Sequence, residues 1–477
     1  MTVSPSKRNF RTFVAASCIS LGFLSPVSAE TLADALVGAY NYSGLLDQNR
    51  AVLRAADEDV AIAKSSLKPV VQWTGNLTKA LGRSVSAGSN FIPAGTKSAT
   101  NSLSTSVNLI ASLLVYDFGA TQYSVEAAKE TVLATRQSLV SVEQQVLLRA
   151  VDAYMGVIQA QQLMSISENN VRVLTQELRA ARDRFEVGEV TRTDVSLAEA
   201  QLASARSRLA GSQGDLMSAK AYYKIAIGRN PGQLSPPPRL PTLESSVAAA
   251  KAGAVRRHPD ILTVQHQVAA AELLIRSSEA RMKPQVSVQG SYGLTETFGS
   301  DASSNNTSVG IQFGQTIYQG GALSAGVRKN RAQRDAQRGN LFVTVDNVER
   351  AVSDAYAVLS SARAQIDASQ RQVRAAQVAF QGIREEASLG ARTTLEVLGA
   401  EQSLNEARSS VVTAQTQLYV AAYSVLSATG QLTAQALKLP VQIYDPAAYY
   451  NLVKDGPAKY SKEGKKLDRV LRALQKD

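Results

Sequence analysis

The stretch LFVTVDNVERAVSDAYAVLSSARAQI, residues 341–366, decides the fold, because Leu341, Val345, Val348, Val352, Ala355, Leu359, Ala362 and Ile366 step alternately by four and three. That spacing is the seam of a coiled-coil helix. It resumes after Ser369 at Val373, Ala376, Phe380 and Ile383. The same seam runs earlier through Leu139, Val146, Ala150, Ala153, Val157, Ala160, Met164, Val171, Leu174, Leu178 and Ala181, with Glu143 and Ser167 off pattern. From Ala120 to Glu186 there is no proline and one interior glycine, Gly156, so the sequence predicts a single helix over 120–186. At 1.5 Å per residue it is roughly 100 Å long. Residues 322–388 predict its counterpart. Each long helix enters a glycine turn, Val187-Gly188-Glu189 or Leu389-Gly390-Ala391, and returns through a shorter helix, 193–226 or 394–428.

The two seams belong to a duplication. Ser106-Val107 aligns with Ser308-Val309, Tyr116 with Tyr318, Asp152-Ala153-Tyr154 with Asp354-Ala355-Tyr356, and Gly228 with Gly430, all at an offset of 202. Upstream, Lys68-Pro69 aligns with Lys283-Pro284 at 215, so the first copy is 13 residues longer between these points. The extra residues fall in the Gly/Ser/Asn-rich stretch Gly82 to Asn101, read as a surface loop. Pro236-Pro237-Pro238-Arg239-Leu240-Pro241 reads as a stiff linker between the copies.

A second periodicity, of two, precedes each long helix. Val71, Trp73, Leu77 and Leu81 alternate with Gln72, Thr74, Asn76 and Thr78; Leu103, Val107, Leu109 and Leu113 alternate with Ser102, Ser104, Ser106 and Asn108. In the second copy Val286, Val288, Tyr292 and Leu294 alternate with Ser287, Gln289, Ser291 and Thr295, and Val309, Ile311, Phe313 and Ile317 with Ser308, Gln312 and Thr316. These are four strands of roughly ten residues, enough for a tilted bilayer crossing with apolar side chains in lipid and uncharged polar ones in water. An open four-stranded sheet cannot sit in lipid, because its edges leave backbone groups unpaired. Copies of the chain must close it: two would give eight strands and a lumen filled by side chains, three would give twelve and room for water.

The chain has 477 residues and a formal charge of +11. Lys7, Arg8 and Arg11 precede an apolar stretch from Phe13 to Leu24, and Pro26-Val27-Ser28-Ala29 supplies the small residues of a cleavage site. Residues 1–29 therefore read as a signal peptide. Cys18, the only cysteine, lies within it, which leaves no disulfide or thiolate metal site after cleavage. The high charge has no nucleic-acid motif beside it. Its one cluster, Lys459, Lys462, Lys465, Lys466, Arg469 and Arg472, reads as a solvated basic tail. His258 and His266 are eight apart and do not share a face as the paired-histidine zinc motif requires, and no phosphate-cradling loop or nucleophile elbow is present. No enzymatic activity, metal or cofactor is expected, and any energy the chain's work needs has to come from a partner.

These features resemble the TolC family of outer-membrane factors over essentially the whole mature length. The resemblance rests on the duplicated hairpin-plus-helix unit and on Arg257-His258-Pro259-Asp260-Ile261, followed by an Ala/Glu-rich helix to Arg281-Met282-Lys283-Pro284. It rests also on the paired turns VGEVTRTDV and LGARTTLEV. Read from the residues alone, Pro259 and Asp260 are first-turn helix residues and so structural. The resemblance implies a mixed α and β, mainly α, fold, with four transmembrane β-strands and long coiled-coil helices per chain. Three chains would make a twelve-stranded barrel in the outer membrane of a Gram-negative bacterium and a helical tunnel in the periplasm, with an equatorial band of small helices and strands at about residues 31–43, 230–256 and 431–450. The expected organisation is a signal peptide (1–29), a first repeat (30–235), the linker (236–241), a second repeat (242–430) and a C-terminal equatorial segment with the basic tail (431–477).

The implied function is a passive duct for drugs or proteins in tripartite efflux or type I secretion. The implied partners are two further copies, a periplasmic adaptor, an inner-membrane RND or ABC transporter and outer-membrane lipid, with no nucleic acid. Thr193, Asp194, Arg392 and Glu396 match the family's periplasmic constriction, where Arg392 would pair with Asp194 of a neighbouring hairpin and three Glu396 would form an acidic ring. Val187, Gly188, Leu389 and Gly390 match the turns that meet the adaptor. Ala387 and Gly399 depart from the family pattern of a tyrosine and a second aspartate, so the resemblance implies a gate that is either looser or differently latched. A periplasmic coiled-coil adaptor or scaffold would share the leader and heptads; it lacks the four amphipathic strands.

Overall fold

The computed structural model describes residues 29–85, 87–88, 91, 93–301 and 303–474; the signal segment with Cys18 lies outside them, apart from Ala29. In chain order the elements are α1 (Leu32–Tyr42), α2 (Gly44–Ser65), β1 (Val70–Val85), β2 (Lys97–Tyr116), α3 (Ala120–Glu186), α4 (Arg192–Ile227) and α5 (Val247–Arg257). They continue with α6 (Pro259–Ala280), β3 (Gln285–Phe298), β4 (Ser303–Gly314), α7 (Ala322–Ser388), α8 (Thr394–Ala428), α9 (Pro446–Val453) and α10 (Lys462–Leu474). Both long helices have the bounds their sequence predicts.

The duplication extends further upstream than Lys68-Pro69. At the offset of 215, α1 superimposes on α5 and α2 on α6, end for end. Ser43 and His258 are then equivalent, and each caps its helix through a side-chain acceptor. A matched pair of tyrosines ties down the connecting chain: Tyr154 Oη donates to the Ser235 carbonyl at 2.7 Å, and Tyr356 Oη to that of Glu244 at 2.9 Å. The 230–256 segment contributes α5 and one isolated bridge, Glu30 to Leu234, in place of the expected equatorial strands.

Helix contacts define a layer. α3 is central: α2 and then α4 flank it on one side, α6 and then α8 on the other, and α7 lies beyond α6 and α8. The short helices meet near the equator, so four helical columns run the length of the layer. Burial follows position, for α3 buries Val146, Leu147, Ala150, Val151, Ala153, Tyr154 and Val157 within the largest core cluster, whereas edge-lying α7 leaves Phe342, Val343, Val358 and Val378 exposed. The two off-pattern seam residues have partners. Glu143 accepts from the Ala434 amide at 2.6 Å, and Ser167 Oγ meets Ser212 Oγ at 3.0 Å across α3 and α4.

The strands form one antiparallel sheet in the order β1-β2-β3-β4. They are 12 to 20 residues long, against the roughly ten expected. Much of Gly82–Asn101 is therefore strand, with β1 running to Val85 and β2 starting at Lys97. The register explains the excess. Val71, Ala111, Gly290 and Val309 form one row of a face, and Trp73, Leu109 and Tyr292 the next row of that face. Two rows further on the face carries Glu296, and beyond it Lys79. A charge facing lipid is costly at the membrane midplane and cheap at its surface, so the apolar band ends there. From Val286 to Leu294 it spans nine residues, about 30 Å at 3.4 Å each, and the rest of the hairpins projects beyond. Gln72, Thr74, Asn76, Asn108, Ser106, Ser291 and Ser308 line the other face.

Candidate functional site

The ends of the two helical hairpins, opposite the sheet, carry the candidate residues. Each long helix stops the same way. Gly188 (φ 80°) and Gly390 (φ 79°) take the left-handed conformation that ends a helix, and Glu189 N and Ala391 N each donate 2.9 Å back to the carbonyls of Arg184 and Glu386. The return helices begin in capping boxes. Thr191 Oγ1 accepts from Asp194 N while the Asp194 carboxylate accepts from Thr191 N at 2.9 Å; Thr393 and Glu396 repeat this, with 2.8 Å for the amide to the carboxylate. The pattern Thr-x-x-Asp and Thr-x-x-Glu is legible in the sequence as a helix start. Asp194 and Glu396 thus serve the fold as well as any gate.

Both acids are held ionised. The Thr191 hydroxyl and amide push Asp194 below the usual carboxylate range, and the Thr393 amide with the Arg392 guanidinium does the same for Glu396. Arg392 is raised by Glu386 and Glu396: its Nε donates to Glu386 at 2.7 Å and an Nη to Glu396 at 2.9 Å. It therefore clasps the last turn of α7 to the first turn of α8. Among the described residues of one chain it makes no ion pair with Asp194, so a bridge to a neighbouring hairpin would have to displace one of these two partners. Residue matching alone hides Glu386, six positions before Arg392. The first hairpin lacks this particular clasp, since Val190 and Arg184 stand at the positions of Arg392 and Glu386; its two helices are joined instead by Arg182 on α3 and Glu199 on α4 at 2.5 Å. Thr193 is exposed in the first turn of α4.

At the turns themselves, matched apolar side chains stand in solvent: Val187 is 71% exposed and Leu389 85%. No atom lies within 4 Å of where a β-carbon would sit at Gly188 or Gly390. Between the two hairpins, Gln176, Ala180, Arg184, Arg384, Ser388 and Thr394 line a groove of about 390 Å³. Elsewhere on α8, Glu401 is buried and neither carboxylate oxygen reaches hydrogen-bond geometry with a partner. Desolvation first, and then the charge of Glu177 on α3, push it up to about 7, against the neighbouring Asn405 amide, which is close without reaching hydrogen-bond geometry, and the Arg384 and Arg408 guanidiniums.

The other singled-out residues are structural. His258 caps α6, its Nδ1 accepting from Asp260 N at 3.3 Å, and burial lowers its affinity for a proton; Pro259 and Asp260 fill the first turn. His266 Nδ1 lies 2.7 Å from Glu130 on α3. Among the described residues no group of three His, Cys, Asp or Glu could hold a metal, and no helix is long and apolar enough to cross a membrane.

The sequence matches the model of the outer membrane efflux protein family twice, at residues 42–228 and 253–431. It is 36% identical over 429 residues to outer membrane efflux protein BepC of Brucella suis, covering 90% of this chain and 91% of that one. It is 24% identical over 438 residues to outer membrane protein TolC of Escherichia coli, covering 87% and 85%. In three dimensions it is similar to the Campylobacter jejuni CmeC outer membrane channel, with a TM-score of 0.71 at 17% identity over 98% and 99% of the two chains. The CusC structure gives a TM-score of 0.71 at 20% identity over 84% and 92%.

Proposed function

The chain belongs to the outer membrane efflux protein family, and from that premise we propose that three copies close into one continuous duct. The protein is an outer-membrane efflux channel with a periplasmic helical tunnel. Its family is one of ducts that work with adaptors and inner-membrane pumps in tripartite systems. The observation that carries the trimer is a pair of open edges at each level. In the sheet, β1 and β4 each lack a neighbour on one side. In the helical layer, α7 exposes Phe342, Val343 and Val378 at one edge, while α2 and α4 expose Val52, Ile62, Met217 and Ile225 at the other. One rotation that joins β4 to the next β1 joins α7 to the next α2 and α4. Lipid demands that closure, and twelve strands leave a wet lumen where eight do not.

The duct narrows at Thr193, Asp194, Arg392 and Glu396, and its adaptor seats on Val187, Gly188, Leu389 and Gly390. The exposed apolar pair at the turns and the groove between hairpins support that seat. The chain itself works as a passive conduit, its cargo drugs or protein chosen by an RND or ABC pump upstream. Light scattering of the detergent-purified protein tests the closure: a trimer mass is expected, and a monodisperse monomer would overturn it. The reading as a periplasmic adaptor or scaffold is disfavoured by the family match on both repeats.

A further inference from the structure

The two C-terminal helices put a cationic surface at the membrane end of the tunnel. α9 lies along α2, where Tyr449 Oη donates to Glu58 at 2.7 Å. Just past α9, Asp455 pairs with Lys64 at 2.7 Å, and Lys68 Nζ donates to the Asp455 carbonyl. Lys68 stands two residues before β1, so residue 455 sits where the helical layer hands over to the barrel. From there the chain turns into α10, capped by Ser461, whose Oγ accepts from Gly464 N at 2.9 Å. The sequence alone suggests a solvated tail here; the structure corrects this to a docked amphipathic helix, with Leu467 and Leu471 packed on Tyr449 and Val453.

The opposite face of α10 carries a basic stripe, bordered by Glu463 and Asp468. Lys462, Lys465, Lys466, Arg469 and Arg472 follow the i, i+3, i+4, i+7 spacing of one helical stripe, all five are exposed, and none has an ion pair among the described residues. Two acids against five cations offset only part of the stripe's self-repulsion, which an anionic surface facing it would relieve. Tyr460, 83% exposed, and the exposed Val470 flank it, an aromatic and an aliphatic of the kind that settle at a headgroup boundary. The adaptor-seating turns are at the far end of the long helices, so the stripe is out of their reach.

We propose that α10 lies against the inner leaflet of the outer membrane and binds the phosphate-bearing headgroups of anionic phospholipid. The contact sets the depth and tilt of the barrel from outside the barrel wall. Each cation near an anionic leaflet raises partitioning by about fivefold. The test is hydrogen exchange of the full-length protein in nanodiscs of neutral phosphatidylcholine and in discs containing phosphatidylglycerol. Peptides over residues 459–472 are expected to exchange about tenfold or more slower in the anionic discs. That protection is expected to vanish at high salt and in K465Q/K466Q/R469Q, which keeps the packed Leu467 and Leu471. Equal exchange in the two lipids would overturn the proposal, as would protection in neutral discs that appears only on adding inorganic phosphate or soluble cell-wall fragments. Protection of β1 and β2 in both discs reports barrel insertion separately, so loss of the channel reading and loss of this one are told apart.

Discussion

Gly228 lies against the ring of Tyr42 so closely that a β-carbon at residue 228 would overlap it. Gly228 ends α4 with φ 91° and Tyr42 ends α1, so this contact is where one helical column changes from α4 to α2. Its repeat partner Gly430 ends α8 with φ 75°, and a β-carbon there would sit 3.2 Å from His258 Cα. Gly390 shares the positive φ but faces open space. Substitution by alanine is therefore expected to destabilise in the order Gly228, Gly430, Gly390. The left-handed strain alone costs about 1–2 kcal/mol, and overpacking adds about 1–3 at Gly228. Thermal melts followed by circular dichroism check the order, and Tyr42→Ala in the Gly228→Ala background is expected to recover part of the loss. Equal effects at all three would mean that the packing at the junctions contributes nothing.

Glu401 gives a pH dependence with a definite sign. Its folded-state value of about 7 lies above the ordinary 4.5, so between these values the native state holds more protons than the unfolded one. Stability therefore falls as pH rises through that window and stays lowered above it. Glu401→Gln removes the buried charge and is expected to raise stability at pH 8 by about 2 kcal/mol, after solvent screening is discounted, while leaving pH 4.5 nearly unchanged. Asp57, pushed up to about 6 by burial, titrates in an overlapping range, so the informative quantity is the difference between Glu401→Gln and the parent at each pH. A pH-independent difference would remove the assignment.

The adaptor seat is tested without disturbing the fold. Val187 and Leu389 are exposed and pack against nothing, so serine at both is expected to change stability by less than about 0.5 kcal/mol. Trimer formation is expected to persist while capture of the cognate adaptor weakens about tenfold, as loss of two apolar anchors from an interface implies. Unchanged adaptor capture would place the contact elsewhere. Tryptophan at Gly188 and Gly390 is the complementary variant: space is available, and the strain of the positive φ at both turns is what opposes it.

The long helices were readable to the residue because glycines mark their ends and proline is absent inside them: Asp117 to Gly119 precedes α3 and Gly188 follows it. Strand length was less legible. Period-two alternation persists past the membrane surface into Lys79, Leu81 and Phe298, and only the register shows that Glu296 and Lys79 share the apolar face and mark its edge. The basic C-terminal run looked like a solvated tail because charge dominates its composition, while the two leucines that dock α10 need Tyr449 and Val453, contributed by a different helix, to become meaningful. At the tips, matching positions found Arg392 and Glu396 but not Glu386, whose proximity depends on how Gly390 turns the chain.

The gate prediction follows from the clasp. Arg392 bridges Glu386 and Glu396 within each chain and offsets one of their two charges, whereas among the described residues Asp194 in the first hairpin has its capping threonine and no such cation. In the proposed trimer, three Glu396 and three Asp194 would meet at one end of the tunnel. Arg392→Ala releases two carboxylates per chain at that level, and like charges so placed repel. Single-channel conductance in planar bilayers is expected to rise about twofold, with stronger cation preference from the more negative entrance. Glu396→Gln acts oppositely on selectivity, for it removes charge from the ring, and its amide oxygen still accepts from Thr393 N, so the capping box and trimer are preserved. Arg392→Lys separates charge from geometry: lysine keeps the cation but cannot reach two carboxylates through a planar fork, so it is expected to retain selectivity while conductance rises. Parental conductance and selectivity in all three variants, with trimers intact, would place the constriction away from these turns.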